Sequence, residues 1–397
     1  MNMYKKWRTY RRGCIRILLL VLAGLMSLGQ LQKIQLTNVS ALYYHDFVIL
    51  AVVVLSFPFL QNTWKWIIQK DWVRWFVRFV GIVAITLALA YMRYPVETWI
   101  IGVMYFSRLV VYSVFCLSLI ALVRTRLVQR SEILRLSLVS TTLIAVAGLL
   151  QYFVIPDVRG LRFFGWDDHY FRAVSTLLDP SFTGIIVLIG FLISLQYFVK
   201  KRSTPIVLIA IAHFAALLLT YSRASFIALG AALIFLALQY NRLRKGVLFI
   251  FCLGVIGIFF LPRPASEGAR LERLASVRAR AVNTVNALQQ LSPITLLIGN
   301  GWYLTNADRQ TNNTITVISH SSSPDNSFLH VLQSAGIGGL IALVVLGYAL
   351  FQSSRSLSLR TSLVAITVAS FMNQVLFYPW ILLILSQIIA QDEGLTT

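Results

Sequence analysis

Charge is what this 397-residue sequence has little of, and negative charge least: Asp, Glu, Lys and Arg make up 12% of it, with 14 acidic residues against 35 basic ones. With a mean hydropathy of +0.75, too little polar surface remains to cover a water-soluble globule, so that class is excluded. Cysteine is equally scarce. Cys14, Cys116 and Cys252 lie in or beside different apolar runs with no paired spacing, which offers no disulfide framework, zinc site or thiol nucleophile.

What the chain does have is apolar runs. Crossing about 30 Å of hydrocarbon takes roughly 17 to 25 residues as a helix. Such runs cover 15–35, 43–61, 76–93, 98–123, 133–155, 181–199, 204–220, 224–240, 246–262, 327–350, 361–377 and 379–391, the last being short. They predict an all-α, polytopic membrane bundle of about twelve helices, one membrane-embedded domain over 1–397. The first run has the basic start of a signal peptide but no clear small-x-small cleavage site after it, so it reads as a signal-anchor helix. Trp64, Trp66, Trp72, Trp75, Trp99 and Trp380 fall near run ends, as an interfacial belt requires.

The net charge of +21 does not indicate nucleic acid, because the cations fall mainly in alternate short loops. With the N-terminus inside, 22 of the 35 Lys and Arg lie on the cytoplasmic side, as the positive-inside bias demands. Both termini are then cytoplasmic. Twelve cations remain outside once the intramembrane Arg108 is set apart, and nine of them are arginines in two loops. Loop 156–180 holds Arg159, Arg162 and Arg172. Loop 263–326, the long segment between the ninth and tenth runs, holds Arg263, Arg270, Arg273, Arg278, Arg280 and Arg309. Neither contains lysine. Arginine's planar fork grips phosphate oxygens bidentately and keeps its charge when partly dehydrated, so a phosphorylated ligand on the outer face is expected; solvated charges near anionic lipid are the plainer alternative.

Within the long loop, 266–290 lacks proline and is rich in helix formers, predicting an interfacial helix. At 100° per residue, Leu271, Leu274, Val282 and Val285 share a face with Arg278 at its middle, and Arg270, Arg273 and Arg280 lie on a neighbouring arc. A third outward feature is TYSRAS at 220–225, whose Arg223 opens an apolar helix and either binds a ligand or snorkels to the interface.

Four segments resemble the O-antigen ligase and polymerase family of membrane glycosyltransferases. FRAVSTLLDPSFTGIIVL (171–188) is similar to its arginine, Asn/Asp-Pro-Asn, Gly signature, and TYSRASFIALGAAL (220–233) to its Ser-Arg-small motif. ARAVNTVNALQQLSPITLLIGNGW (279–302) resembles its arginine helix followed by Pro and a Gly-x-Gly turn, and PDNSFLHVLQSAGIGGL (324–340) its His-Asn, Gly-x-x-Gly motif. Together they cover about 170 residues in the family's order. Asp325 stands where ligases carry histidine, Ser181 where asparagine follows the proline, and Thr284 where tryptophan is common; the Asp-Asn pair looks more like polymerases of surface polysaccharide.

The resemblance implies a metal-free transfer of an oligosaccharide from a polyprenyl-pyrophosphate donor to a hydroxyl of an acceptor glycan on lipid, at the outer face of the inner membrane, among membrane lipids and other polysaccharide-assembly proteins. No cofactor is implied. It assigns the pyrophosphate to Arg172 and to Arg280 or Arg278; family spacing favours Arg280 and helical phase favours Arg278. Asp325 is the leading base, with His320 or His330 as relay or replacement. Arg223, Asn326, His330, Arg159 and Arg162 are candidate substrate contacts, although Asn326 also suits a helix cap and His330 falls inside the tenth run. Gly336, Gly338 and Gly339 suit close helix packing. A divalent ion on Asp167, Asp168, His169 and Asp325 is the alternative for that cluster. The rival functions are a lipid-linked oligosaccharide flippase, for which the chain lacks two related halves, and a noncatalytic scaffold.

Overall fold

In a computed structural model the protein is described over residues 2–36, 40–262, 275–289, 291–305 and 324–394. It is an all-α bundle whose helices are α1 (Asn2–Ser27), α2 (Tyr44–Ile67), α3 (Asp71–Ala90), α4 (Val96–Arg124), α5 (Arg130–Val154), α6 (Pro180–Lys200) and α7 (Thr204–Leu219), continuing as α8 (Arg223–Gln239), α9 (Arg244–Phe260), α10 (Ala275–Gln289), α11 (Pro293–Ile298), α12 (Ser327–Ser353), α13 (Leu357–Ser370) and α14 (Pro379–Glu393). The only strands among the described residues, β1 (Lys33–Gln35) and β2 (Ala41–Tyr43), pair antiparallel between α1 and α2.

A helix lies on each of the twelve apolar runs, yet among the described residues seven helices are long and apolar enough to cross a membrane: α2, α3, α4, α5, α6, α12 and α9 with the turn before it. The others fall short for identifiable reasons. The first run was expected to span 15–35, but α1 ends at Ser27 and the chain turns into β1. The run expected over 361–377 ends at Ser370; its 14 residues reach about 21 Å at 1.5 Å each, less than the hydrocarbon thickness. α7 and α8 are also short apolar helices.

Local chemistry sets several helix starts. Asp179 caps α6 by accepting from the Ser181 and Phe182 amides at 2.6 and 2.9 Å, and Pro180 takes the first helical position, where its missing N–H costs nothing. Ser222 caps α8 through the Ser225 amide. α12 packs along α3, α2 on α4, α13 on α8, and α14 on α4 and α5. The core they enclose is apolar, with Trp380, Phe115 and Ile49 fully buried. Residues 27–36 and 40–43 and the loops 155–179, 220–222, 299–305 and 371–378 come together at one end of this bundle, tied by hydrogen bonds between them.

Candidate functional site

Arg172 lies in a buried turn, 171–179, folded into the bundle end. The Ser175 hydroxyl donates to the Ile144 carbonyl at 2.7 Å, Thr183 to the Val174 carbonyl at 2.6 Å and Thr176 to the Ser27 carbonyl at 2.8 Å. Arg172 itself is 5% exposed. Its Nε donates to the Thr220 carbonyl at 3.0 Å and an Nη to the Tyr221 carbonyl at 3.5 Å, so the guanidinium closes the carbonyl end of α7, where positive charge is stabilised. The next residue but one is Arg223. Two of the sequence motifs thus meet physically: the arginine of one holds the turn that presents the arginine of the other. Burial and the neighbouring Tyr152 hydroxyl push the Tyr221 phenol well above its usual pKa, so it stays neutral while it donates to the Pro262 carbonyl at 2.7 Å.

α10 lies across this region and separates the two arginines that the sequence left joined. Arg280, Asn283, Thr284 and Ala287 form its inward side, Ala287 being 1% exposed, while Arg278 is exposed together with Val282 at 48% and Val285 at 50%. Arg280 comes close enough to Arg223 for the two charges to act on each other. One turn further along the same face, the Asn283 amide donates to an Asp325 carboxylate oxygen at 3.5 Å. One side of α10 thus turns Arg280 toward Arg223 and Asn283 toward Asp325, while Arg278 is exposed. Val282 and Val285, of the apolar stripe expected to seat the helix, are exposed instead, and Leu271 and Leu274 lie outside the described residues.

α12 starts beside Asp325. Asn326 is its cap, accepting from the Phe328 and Leu329 amides at 2.9 and 3.0 Å and donating to the Phe371 carbonyl at 3.3 Å. His330, 2% exposed, lies against Trp302, Tyr303 and Phe377 with ring centroids 5.3, 4.4 and 6.2 Å away. It is packed as an aromatic among these rings. Three turns into the bundle the helix is broken at Gly336, φ +67° and ψ −172°. The freed Gln333 and Ser334 carbonyls accept from the Asn300 and Gly301 amides at 2.8 and 3.0 Å, so the Gly-x-Gly turn after α11 plugs into the break. Non-helical backbone at this depth is tolerated because protein, not lipid, satisfies it. The Gln333 side chain reaches on to the Ala287 carbonyl at 2.8 Å, anchoring the end of α10.

Backbone strain marks the same end of the molecule. Among the described residues, six non-glycine residues have positive φ, and all but Arg126 lie here: Phe171, Ser175, Leu178, Tyr221 and Tyr303. Each costs about 1 kcal/mol or more and persists only where surroundings enforce it, a pattern concentrated at functional sites.

The remaining candidates stand apart. Arg159 is held by Asp157, Nη to Oδ at 2.7 Å, on an exposed loop; these hydrogen bonds hold the Asp157 carboxyl at about 2. Arg162 is exposed at the tip of that loop. His320 lies outside the described residues, as do Arg263, Arg270, Arg273 and Arg309. Asp167, Asp168 and His169 do not join Asp325, since no three His, Cys, Asp or Glu side chains among the described residues form a group able to hold a metal ion.

Sequence reasoning noted Arg108 inside the membrane but not its partner. Arg108 Nη donates to Asp46 Oδ at 3.0 Å, and Asp46 also accepts from the Tyr43 amide at 2.9 Å and the Tyr112 hydroxyl at 2.5 Å. His45 meets the same Tyr112 hydroxyl at 2.8 Å. Tyr105, one helical turn from Arg108, stacks on Tyr303 at 4.3 Å, and the Gln374 amide donates to the Tyr303 hydroxyl at 3.2 Å. The ion pair thus ties the β-hairpin, α2 and α4 to the loop that plugs α12. The signal available in the sequence was an arginine in mid-run, which demands an acidic neighbour.

No protein-family model matches this chain, and no curated protein matches it either.

Proposed function

We propose that this protein is a glycosyltransferase at the outer face of the cytoplasmic membrane. It moves an oligosaccharide from a polyprenyl-pyrophosphate carrier to a hydroxyl of an acceptor glycan, as a polymerase of O-antigen or exopolysaccharide. The observation that carries this reading is the meeting of Arg223 and Arg280 with Asp325 through Asn283. Two arginines whose charges act on each other favour an anionic ligand, and a carboxylate held by Asn283, one turn along the same helix face, supplies a base. In this reading about twelve helices cross the membrane, the shorter ones included, and both termini are cytoplasmic.

The chemistry follows from the charges. The acceptor hydroxyl attacks the anomeric carbon, its proton passes to Asp325, and the bond from that carbon to the pyrophosphate oxygen breaks. Negative charge grows on the departing pyrophosphate, so Arg223 and Arg280 bind the transition state more tightly than the ground state and lower the barrier. Asn283 orients the carboxylate. Arg172 acts one step back, by fixing the turn that presents Arg223.

The test is purified protein in liposomes, given a polyprenyl-pyrophosphate oligosaccharide with and without a lipid A-core acceptor. A ladder of products supports the polymerase; a single capped acceptor makes it a ligase. Movement of the lipid between leaflets without any transfer overturns the reading in favour of a flippase. Arg280→Lys keeps charge and loses the fork, so turnover falls roughly ten- to thousandfold, whereas Arg278→Lys stays near wild type. Asp325→Asn abolishes turnover and leaves donor binding nearly intact.

A further inference from the structure

The loop that carries Arg159 and Arg162 displays two large apolar rings to the surroundings. Phe163 is 90% exposed and Phe164 79%. This is not a slack segment, because its base is pinned like a hairpin. Asp157 bridges Tyr170, the Val158 amide donates to the His169 carbonyl at 3.1 Å, and the Phe171 amide donates to the Pro156 carbonyl at 2.9 Å. Arg159 spans the base, on Asp157 and over the Tyr170 ring at 4.8 Å. A 3-10 turn, Arg159–Phe164, then runs to Gly165 in the left-handed conformation, and the Trp166 amide returns to the Leu161 carbonyl at 3.2 Å. The fold fixes the rings outward.

We propose that this loop is a wedge seated in the adjoining leaflet of the bilayer, with Phe163 and Phe164 among the acyl chains and Arg162 at the lipid phosphates. What covers the rings is identified by what they continue. Phe153 and Val154, both 72% exposed, end α5, a helix long and apolar enough to cross the membrane, and they immediately precede the pinned base. The lipid-facing surface of α5 therefore runs on into the loop. On the other side Lys33 lies over the Trp166 ring at 5.4 Å, which brings the hairpin's exposed Leu36 into the same belt. Arg162 stands exposed beside the rings at the tip, where a lipid phosphate can meet it, while the acids Asp157, Asp167 and Asp168 flank the tip and Asp157 is taken by Arg159. Amphipathic aromatic and basic residues sit at this depth because ring and charge are satisfied on opposite sides of the headgroup layer. The patch is convex, which suits a deformable lipid surface. This inference stands apart from the proposed glycosyl transfer and assigns Arg162 to lipid.

The experiment places a cysteine at Phe163, Phe164 or Gly160 in a chain with Cys14, Cys116 and Cys252 replaced by serine. Each is labelled with an environment-sensitive fluorophore and reconstituted in phosphatidylethanolamine and phosphatidylglycerol liposomes. Labels at 163 and 164 should emit at shorter wavelength, be quenched by lipid carrying a nitroxide high on its acyl chain, and be several-fold less accessible to iodide than the label at 160. Adding Arg162→Glu should raise iodide access at 163. Iodide quenching at 163 and 164 equal to that at 160 overturns the wedge. So does water exposure in liposomes combined with protection in native membranes, because the partner is then a protein. Failure of the cysteine-free background to fold is met by introducing tyrosine at Phe163 and Phe164 in the wild-type chain and reading their reactivity toward a water-soluble tyrosine reagent. Protection there supports the wedge, and free reaction overturns it.

Discussion

Replacing Gly336 by alanine attacks the joint on which the site's geometry depends, and its cost can be worked out from local geometry. At φ +67° and ψ −172° the residue occupies a region essentially closed to L-residues, at about 1–3 kcal/mol. A Cβ there would stand 2.5 Å from the Leu297 carbonyl oxygen and 2.8 Å from its carbon, both backbone atoms that cannot turn aside. Either α11 retreats or α12 straightens. In both cases the bonds from Asn300 and Gly301 to the Gln333 and Ser334 carbonyls are lost, at about 1 kcal/mol each. The expected destabilisation is therefore about 3–5 kcal/mol, read by chemical or thermal unfolding in detergent. Gly338→Ala is the matched control. A Cβ at Gly338 meets nothing within 4 Å, and in ordinary helix alanine should be neutral or stabilising by about 0.5–1 kcal/mol. Because Gln333 also holds Ala287, Gly336→Ala should loosen α10 and with it Arg280. If Gly336→Ala is as stable as Gly338→Ala, the break in α12 and the plug that fills it are not as described.

Other outcomes follow from the same geometry. Asp46→Ala leaves Arg108 buried without its carboxylate and should cost about 3–5 kcal/mol, while the Asp46→Ala, Arg108→Met double variant should cost less than the single one; equal losses would deny the coupling. Asn326→Ala removes a cap worth about 1 kcal/mol, and Asn326→Asp retains it, both read by unfolding. Cysteine at Gly160 should label from outside intact cells and cysteine at Ser203 should not; the reverse pattern would turn the arginine cluster toward the cytoplasm. Chelation with EDTA should leave turnover unchanged if guanidinium groups carry the charge stabilisation; loss restored by magnesium would return Asp167, Asp168 and His169 to the site.

How much of this was legible in advance depended on whether the signal was local. The membrane class was legible, because composition alone decides whether a chain can cover itself with polar groups. Helix ends were less so: residues 28–36 carry three glutamines and Lys33 inside the expected run, residues 371–377 are apolar enough to extend one, and packing turns both aside. Gly29 at φ +55° seats against the Thr176 carbonyl, and the Ser327 hydroxyl takes the Leu376 amide at 3.3 Å. No hydropathy window sees either contact. The sequence left Arg278 and Arg280 side by side for a more general reason. Helical phase assumes that the apolar stripe faces protein, and beside a bilayer the stripe can face lipid instead, so the polar arc carrying Arg280 turns inward. Asp46 was recoverable. An arginine in the middle of an apolar run cannot stay there unpaired, the chain offers only 14 acidic residues, and Asp46, in the first turn of α2, precedes an apolar run of its own. Arg108 inside its run requires such an acid, and Asp46 supplies it.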